Sequence, residues 1–209
     1  MKKTMNNIKS IRKDWYLIES LIRKKAKILD IGCGEGDLII QLEKNLEAHV
    51  HGIEKDQNMA LKGIAKGLNI THGDAEKDLF QYANQSFDYV ILSQTLQAMI
   101  EPKKILTELL RVGSKAIISF PNFGHWLCRA QILFKGTMPV TNDLKLAWYD
   151  TQNIHLCTIR DFNNLILELN LQINEKFGIN KKKVLSFPFN LFSLNIFASH
   201  AVFEVSKKN

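Results

Sequence analysis

Lys27-Ile-Leu-Asp-Ile-Gly-Cys-Gly-Glu-Gly36 is the stretch of sequence that decides the fold. Residues 28–31 are mostly apolar and predict a short buried strand, after which glycine occupies alternate positions. Leu38, Ile39 and Leu42 follow at helical spacing. Glycine permits positive φ and lets a ligand approach the backbone, while the N-terminus of the following helix offers free N–H donors. A strand, a glycine turn and a helix in this order indicate a ligand-binding unit of an α/β fold.

The acid near the end of this strand, Asp30, indicates what kind of ligand the turn would hold. Dinucleotide-binding turns have the spacing G-x-G-x-x-G and bind a pyrophosphate, whereas Gly32, Gly34 and Gly36 are more closely spaced. A carboxylate beside the turn would repel a phosphate and attract a cation. The combination predicts a ligand with a positive charge at one end and a ribose. A glycine turn can also serve tight packing alone. The strands that follow therefore have to distinguish a ligand-binding turn from a packing turn.

Two more strands end in acids. Val50-His-Gly-Ile-Glu54 reads as a second strand, and its Glu54 lies 18 residues after Gly36. An acid at this distance from the glycine turn is placed to accept both ribose hydroxyls. Ile70-Thr-His-Gly-Asp-Ala75 reads as a third strand tip, again with an acid, Asp74. Three acids at successive strand ends favour a nucleoside ligand over the packing interpretation.

This pattern resembles the class I S-adenosylmethionine-dependent methyltransferases. The resemblance implies that Asp30 and the glycine turn face the methionine part of the cofactor, that Glu54 faces the ribose, and that Asp74 and Ala75 face the adenine. The implied cofactor is S-adenosylmethionine or its product S-adenosylhomocysteine. The cofactor-binding residues predicted in this way are Asp30, Gly32, Cys33, Gly34, Gly36, Glu54, Asp74, Ala75 and Ser93.

The rest of the chain alternates strands with helices, which predicts a doubly wound parallel sheet. Residues 171–177 and 197–205 read as a final antiparallel pair at one edge. We therefore expect an α/β, Rossmann-like class I methyltransferase fold with a seven-stranded, mostly parallel sheet and helices on both faces. The length of 209 residues suits a single domain, residues 1–209. Within it we distinguish a basic N-terminal helix (1–26), an irregular cover segment (121–157) and an insertion (178–195).

The net charge of +7 arises from the ends of the chain. Residues 1–27 contain nine basic and two acidic residues, whereas residues 28–174 contain 13 basic and 17 acidic ones. The nucleotide-binding body is thus acidic, and we expect no nucleic-acid partner. The N-terminal segment lacks a continuous apolar stretch, no run is long enough to span a membrane, and the three cysteines are scattered without metal-ligand spacing. We expect a reduced, cytoplasmic protein with no bound metal and no membrane partner.

Several longer phrases resemble the methionine biosynthesis protein MetW family more specifically. They are Leu92-Ser-Gln-Thr-Leu-Gln-Ala98, Ser119-Phe-Pro-Asn-Phe-Gly-His-Trp126, Met138-Pro-Val-Thr141, Trp148-Tyr-Asp-Thr151 and Asn153-Ile-His-Leu-Cys-Thr158. The resemblance extends from the glycine turn to Asn195-Ile-Phe197, which we place in the last strand. It implies a role in methionine biosynthesis beside a homoserine O-acyltransferase as protein partner. A chain that also binds S-adenosylmethionine, an end product made from methionine, could regulate that partner.

The chain itself lacks the signature of an acyltransferase. Such enzymes carry a nucleophile elbow, G-x-S-x-G, and Gly113-Ser114 has the wrong spacing and closes a predicted helix. Methyl transfer remains open, because positioning alone can lower its barrier. The alternative function is therefore a small-molecule methyltransferase whose acceptor lies under the cover segment, with His125, Tyr149 and His155 as candidate catalytic residues. A third interpretation, an RNA methyltransferase using the basic helix, lacks the expected base-binding phrase.

Overall fold

The computed structural model describes residues 12–141, 144–180, 183–185 and 190–208. Eight strands form one sheet: β1 Lys27–Ile31, β2 His49–Glu54, β3 Ile70–His72, β4 Phe87–Ser93, β5 Gly113–Pro121, β6 Leu171–Asn180, β7 Lys183–Leu185 and β8 His200–Lys207. The helices are α1 Lys13–Leu21, α2 Asp37–Leu46, α3 Gln57–Ala65, α4 Ala75–Asp78, α5 Pro102–Val112, α6 Trp126–Lys135, α7 Ile159–Glu168 and α8 Leu191–Phe197. Short 3₁₀ turns cover Leu79–Gln81 and Leu96–Ala98.

The sheet has the order β3-β2-β1-β4-β5-β8-β6-β7. Strands β1 to β5 are parallel to one another, whereas β8 is antiparallel to both β5 and β6. From β1 the chain adds β2 and β3 on one side, and it then crosses to the other side of β1 to form β4 and β5. The direction of winding therefore reverses between β1 and β4. Ligands of doubly wound sheets bind outside the carboxyl ends of the strands at this position. The sheet order therefore places the glycine turn after β1 at the expected binding edge.

Alternate residues of the strands pack into separate layers on the two faces of the sheet. Ile28 of β1 packs with α1, α2 and α3, whereas Leu29 and Ile31 pack with α5 and α7. Strand β4 is buried in the same two-sided way, with Val90 and Leu92 on one face and Ile91 on the other. Burial on both faces explains why these strands lack the polar–apolar alternation of a half-exposed sheet.

The N-terminal helix packs on its own sheet. Ile18 and Ile22 are buried in the layer that contains Ile117 and Val202. The N-terminal helix was predicted over residues 1–26, of which residues 1–11 lie outside the described residues. The packing brings the first turn of α1 to the carboxyl ends of β4 and β5, where it takes part in the site.

The predicted fold class is confirmed, but the strand count of seven was wrong. The eighth strand, β7, pairs with the end of β6 and has three residues. A strand of three residues in a lysine-rich stretch is too short to show the alternation of polar and apolar residues that predicts a strand. The start of the last strand was also wrong, because residues 195–197 belong to α8 and β8 begins at His200. The side chain of Asn190 caps α8 by accepting from the backbone N–H of Ser193.

A buried asparagine joins the cover segment to the last two helices. The Nδ2 of Asn122 donates to the carbonyl oxygens of Asn195 and Ala198, at 2.9 and 2.7 Å. Its Oδ1 accepts from the backbone N–H groups of Gly124 and Ile159, at 2.9 and 3.2 Å. Every hydrogen-bonding position of the amide nitrogen is used, as burial of a polar group requires. At least part of the sequence of residues 119–126 is thus explained by a structural role.

Candidate functional site

The three glycines of the turn after β1 all have positive φ, but they face different surroundings. A Cβ on Gly32 would lie 2.6 Å from the side chain of Thr95, and one on Gly36 would lie 2.2 Å from Leu68. A Cβ on Gly34 would meet nothing closer than the sulfur of Met59, at 4.0 Å. The outer glycines are thus required by packing within the protein. Gly34 is the one that leaves open space beside the backbone, where a ligand can approach.

Asp30 places a carboxylate beneath this turn without any protein donor for it. The residue is 1% exposed, and neither carboxylate oxygen has a hydrogen-bond partner. The pKa of Asp30 is raised from 3.8 to about 7: burial raises it most, the nearby Arg12 opposes this effect, and Glu54 adds to it. Burial also raises the pKa of the Cys33 thiol above its usual range, with Asp30 and Glu54 adding to the effect. A buried acceptor that lacks a donor costs free energy, which a cationic ligand would recover.

Glu54 locks the glycine turn in place. Its Oε2 accepts from the backbone N–H of Gly34 at 2.7 Å, and its Oε1 accepts from that of Asp56 at 2.8 Å. The side chain is buried. A carboxylate offers about four acceptor positions, so each oxygen keeps capacity for one more donor. Glu54 can therefore hold the turn and still accept hydroxyl groups.

We expect Glu54→Gln to weaken nucleoside binding by about 1.5–3 kcal/mol, because the amide nitrogen cannot accept either a ribose hydroxyl or a backbone N–H. Calorimetry with S-adenosylhomocysteine measures the change. Asp88→Asn is the matched control: Asp88 also accepts from a backbone N–H, that of Lys27, but at the opposite end of the sheet. Equal losses in the two variants, or unchanged affinity in Glu54→Gln, would refute the assignment of Glu54.

The predicted adenine-facing residues lie at the start of α4. Asp74 caps this helix by accepting from the backbone N–H of Glu76 at 3.2 Å. Its Oδ2 also forms ion pairs with Lys55 at 3.0 Å and Lys77 at 3.8 Å. Ala75 is buried beside it. Asp74 is thus occupied by protein groups, and binding of an adenine amino group by its carboxylate stays a prediction.

Ser93 lies in a polar network that the sequence analysis did not foresee. The buried Asp14 of α1 accepts from the Arg12 guanidinium at 2.6 Å and from the Ser119 hydroxyl at 2.9 Å. Arg12 also donates to the Ser93 hydroxyl at 3.0 Å, and Gln94 donates weakly to Asp14 at 3.4 Å. The network fixes the first turn of α1 over the ends of β4 and β5. Because these residues are far apart in the chain, no local spacing could have indicated it.

The three candidate catalytic residues have different surroundings. His125 is buried and caps α6, with Nδ1 accepting from the backbone N–H of Leu127 at 3.4 Å. The Nε2 of His155 lies 3.3 Å from the carbonyl oxygen of Ile100. Tyr149 is exposed and packs edge-on against Trp148, with ring centroids 5.6 Å apart. A catalytic role for any of them stays a prediction.

A second open space, the apolar cleft, lies under the cover segment. It has a volume of about 720 Å³. Its walls are the end of β5, the 3₁₀ turn after β4 and the irregular part of the cover segment. The lining residues are Gln94, Gln97, Pro121, Phe123, Met138, Pro139, Leu144, Lys145, Leu146, Trp148, Asp150, Thr151, Gln152, Asn153, Ile154 and Leu156.

The described part of the chain has neither a metal-binding cluster nor a membrane-spanning helix. No group of three or more histidine, cysteine, aspartate or glutamate side chains there is arranged to hold a metal ion. Within the same residues, no helix combines the length and the apolar character needed to cross a bilayer.

The sheet order, the glycine turn and the helices on both faces together define a class I methyltransferase fold. A solved structure of a SAM-dependent methyltransferase from Thermotoga maritima superposes with a TM-score of 0.67 at 16% identity, over 94% of this chain and 88% of that one. The chain belongs to the methionine biosynthesis protein MetW family, whose sequence pattern matches residues 12–205.

The chain is similar to part of the length of two relatives. The bifunctional methionine biosynthesis protein MetXA/MetW of Rhodopirellula baltica is 33% identical over 168 residues, which are 76% of this chain and 27% of the relative. A ubiquinone/menaquinone biosynthesis C-methyltransferase UbiE of Campylobacter jejuni is 30% identical over 101 residues, 45% of this chain and 43% of the relative. The chain thus spans less than half the length of either.

Proposed function

We propose that this chain binds S-adenosylmethionine, or S-adenosylhomocysteine, at the glycine turn and acts in methionine biosynthesis with a homoserine O-acyltransferase, which it assists or regulates. The observation that carries the ligand proposal is the buried Asp30 carboxylate, which has no donor and lies close to Gly34, the glycine of this turn that has open space beside it. A cationic amino-acid end fits this acceptor, and a ribose fits Glu54. The bound cofactor would supply an activated methyl group.

The partner proposal rests on the relative from Rhodopirellula baltica. Its name joins MetXA and MetW in one bifunctional protein, and this chain matches only the part that corresponds to 27% of its length. We take the MetXA part to be the acyltransferase. Two activities joined in one protein in one organism are expected to meet as separate chains in another, because a covalent link mainly raises their local concentration.

Helix α6 offers a surface on which such a partner could dock. Of its ten residues only Cys128 is buried, while Leu133 is 76% exposed and Phe134 is 82% exposed. The α6 surface consists of Trp126, Leu127, Ile132, Leu133 and Phe134. A cluster of large apolar side chains in contact with water favours a protein interface. Leu133 and Phe134, the most exposed of the five, are its best candidates for interface contacts.

Acyl transfer itself would belong to the partner. Ser114, the serine that follows a glycine at the end of α5, hydrogen-bonds to Oε1 of Gln85 at 2.9 Å and lies at the start of β5. The carboxyl ends of the parallel strands, where the glycine turn lies, are at the other end of the sheet. This chain would therefore contribute binding and regulation to the acylation step.

We expect the double variant Leu133→Glu/Phe134→Glu to bind the acyltransferase at least about 100-fold more weakly, since buried aromatic and apolar anchors dominate interface energies. Co-purification, binding by calorimetry and acyl transfer with and without this chain are the measurements. Phe80→Glu is the control, because Phe80 is also 75% exposed but lies in the turn after α4. Repeating the binding measurement with S-adenosylmethionine tests regulation, where coupling of about 5–150-fold is typical. An acyltransferase that neither binds the chain nor responds to it would contradict the proposal.

A further inference from the structure

The apolar cleft contains a buried polar group without a partner. Gln97 lines the cleft and is 7% exposed. Its Nε2 donates to the carbonyl oxygen of Gln94 at 2.8 Å, which fixes which way the amide points. The Oε1 then has no hydrogen-bond donor in the protein. Leaving a buried acceptor unpaired costs stability. A ligand that donates a hydrogen bond to Oε1 of Gln97 would recover this cost.

The backbone around Gln97 holds the cleft in shape. The carbonyl oxygen of Gln97 accepts from the N–H groups of both Ile154 and His155, at 2.8 and 2.9 Å. These bonds attach the far wall of the cleft to the turn that carries Gln97. The cleft is thus formed before any ligand enters, which lowers the entropic cost of binding.

The lining of the cleft indicates an uncharged ligand. Most of the side chains are apolar, among them Phe123, Leu144 and Trp148. The charged lining residues are one lysine, Lys145, and one aspartate, Asp150, and both are exposed at the rim. Their charges are opposite, so neither sign of ligand is favoured. An apolar body with one hydrogen-bond donor matches these walls.

The turn between β4 and α5 separates the cleft from the glycine turn. Thr95 packs against Gly32, whereas Gln94 lines the cleft and reaches the Asp14 network. Gln94 also has a φ of +54°, an uncommon conformation for a residue other than glycine. Backbone strain of this kind persists where the surroundings enforce it and is frequent at binding sites. A ligand in the cleft would therefore lie on the other side of one turn from the candidate cofactor site.

We propose that the apolar cleft is a second binding site for a small, uncharged, mainly apolar molecule. A hydroxyl or N–H group of this molecule donates a hydrogen bond to Oε1 of Gln97. The inference depends neither on the acyltransferase partner nor on binding at the glycine turn. It assigns a ligand class to the space under the cover segment.

A matched pair of probes tests the proposal: 4-propylphenol, which has a donor, and 4-propylanisole, its methyl ether, which has none. Ligand-observed NMR titrations of the full chain give both affinities. We expect the phenol to bind roughly tenfold more tightly than the ether, the value of one hydrogen bond to a buried acceptor. In Gln97→Met the ratio should fall to about one, because the acceptor is lost and the volume is kept.

Two more variants keep the test decisive. Gln152→Met removes an exposed amide from the rim of the same cleft and should leave the ratio unchanged. Ile154→Trp adds bulk to an exposed lining position and should weaken both probes, even if Gln97→Met fails to fold. Equal affinities for the two probes would overturn the proposal, as would a preference that survives Gln97→Met or binding that Ile154→Trp does not affect. Absence of binding by both probes would also overturn it and favour a protein side chain as the natural occupant.

Discussion

Replacing Asp30 with Asn is expected to make the free protein more stable above pH 7 while removing its affinity for S-adenosylmethionine. Burial raises the pKa of Asp30 from 3.8 to about 7. Because the pKa is higher in the folded state than in the unfolded state, this group's contribution to stability is complete below about pH 4 and is lost as the pH rises through 7. The difference between the two pKa values corresponds to about 4 kcal/mol. Asparagine does not ionise and avoids this loss.

Urea unfolding of both proteins at pH 5 and pH 8 measures the effect. The stability difference between variant and wild type should increase by about 2.5 kcal/mol over this range, because the remainder of the about 4 kcal/mol is already lost between pH 4 and pH 5. Calorimetry at pH 8 should show at least about 100-fold weaker binding of S-adenosylmethionine by the variant, because a buried charged contact is lost. Wild-type affinity should itself rise with pH through 7, since the cationic ligand favours the ionised carboxylate. A stability difference that does not change with pH would show that Asp30 does not titrate there.

Gly34→Val is expected to abolish ligand binding without unfolding the protein. A Cβ at this position meets no protein atom closer than 4.0 Å, so the new side chain would extend into the open space that a ligand needs. The φ of +58° makes valine costly there, by about 1–2 kcal/mol. We expect an affinity for S-adenosylmethionine at least about 100-fold lower, measured by calorimetry, since overlap with a rigid side chain cannot be relieved.

Gly67→Val separates steric exclusion from backbone strain. Gly67 has a φ of +82° and no atom within 4 Å of a built Cβ, but it lies at the end of α3. Both variants should lose similar stability in urea unfolding, and only Gly34→Val should lose binding. If Gly67→Val were equally impaired in binding, strain in the backbone would be the cause, and the open space at Gly34 would have no special role.

Local patterns in the sequence contain enough information for strand β1 and for the starts of several helices. The glycine turn predicted β1 and α2, and Pro102 stands in the first turn of α5, where proline is favoured. Helix α7 begins with a capping box, in which the Thr158 hydroxyl and the Asp161 carboxylate are each bonded to the other's backbone N–H. These features depend on neighbours within four residues, so the sequence contains all the information they need.

The features that could not be predicted depend on contacts between distant parts of the chain. The donor-free state of Asp30 results from burial, and the bond from Gly34 to Glu54 spans 20 residues. Asp14 is one of two acids in the basic segment 1–27, yet its contact with Ser119 spans 105 residues. The lack of a donor for Oε1 of Gln97 depends on how the Gln97 side-chain amide is oriented by its bond to Gln94. Spacing along the chain contains no information about such partners.

Strand β8, formed by residues 200–207, lies between β5 and β6. During synthesis on the ribosome, both strands that it joins are made before it, β5 long before and β6 shortly before. Until then each of them exposes an unpaired edge, which is a template for pairing with other chains. Pairing over such sequence distances is slow compared with formation of local structure. A chain whose translation stops before residue 200 would therefore retain two open edges in the middle of its sheet, and aggregation would be its expected fate.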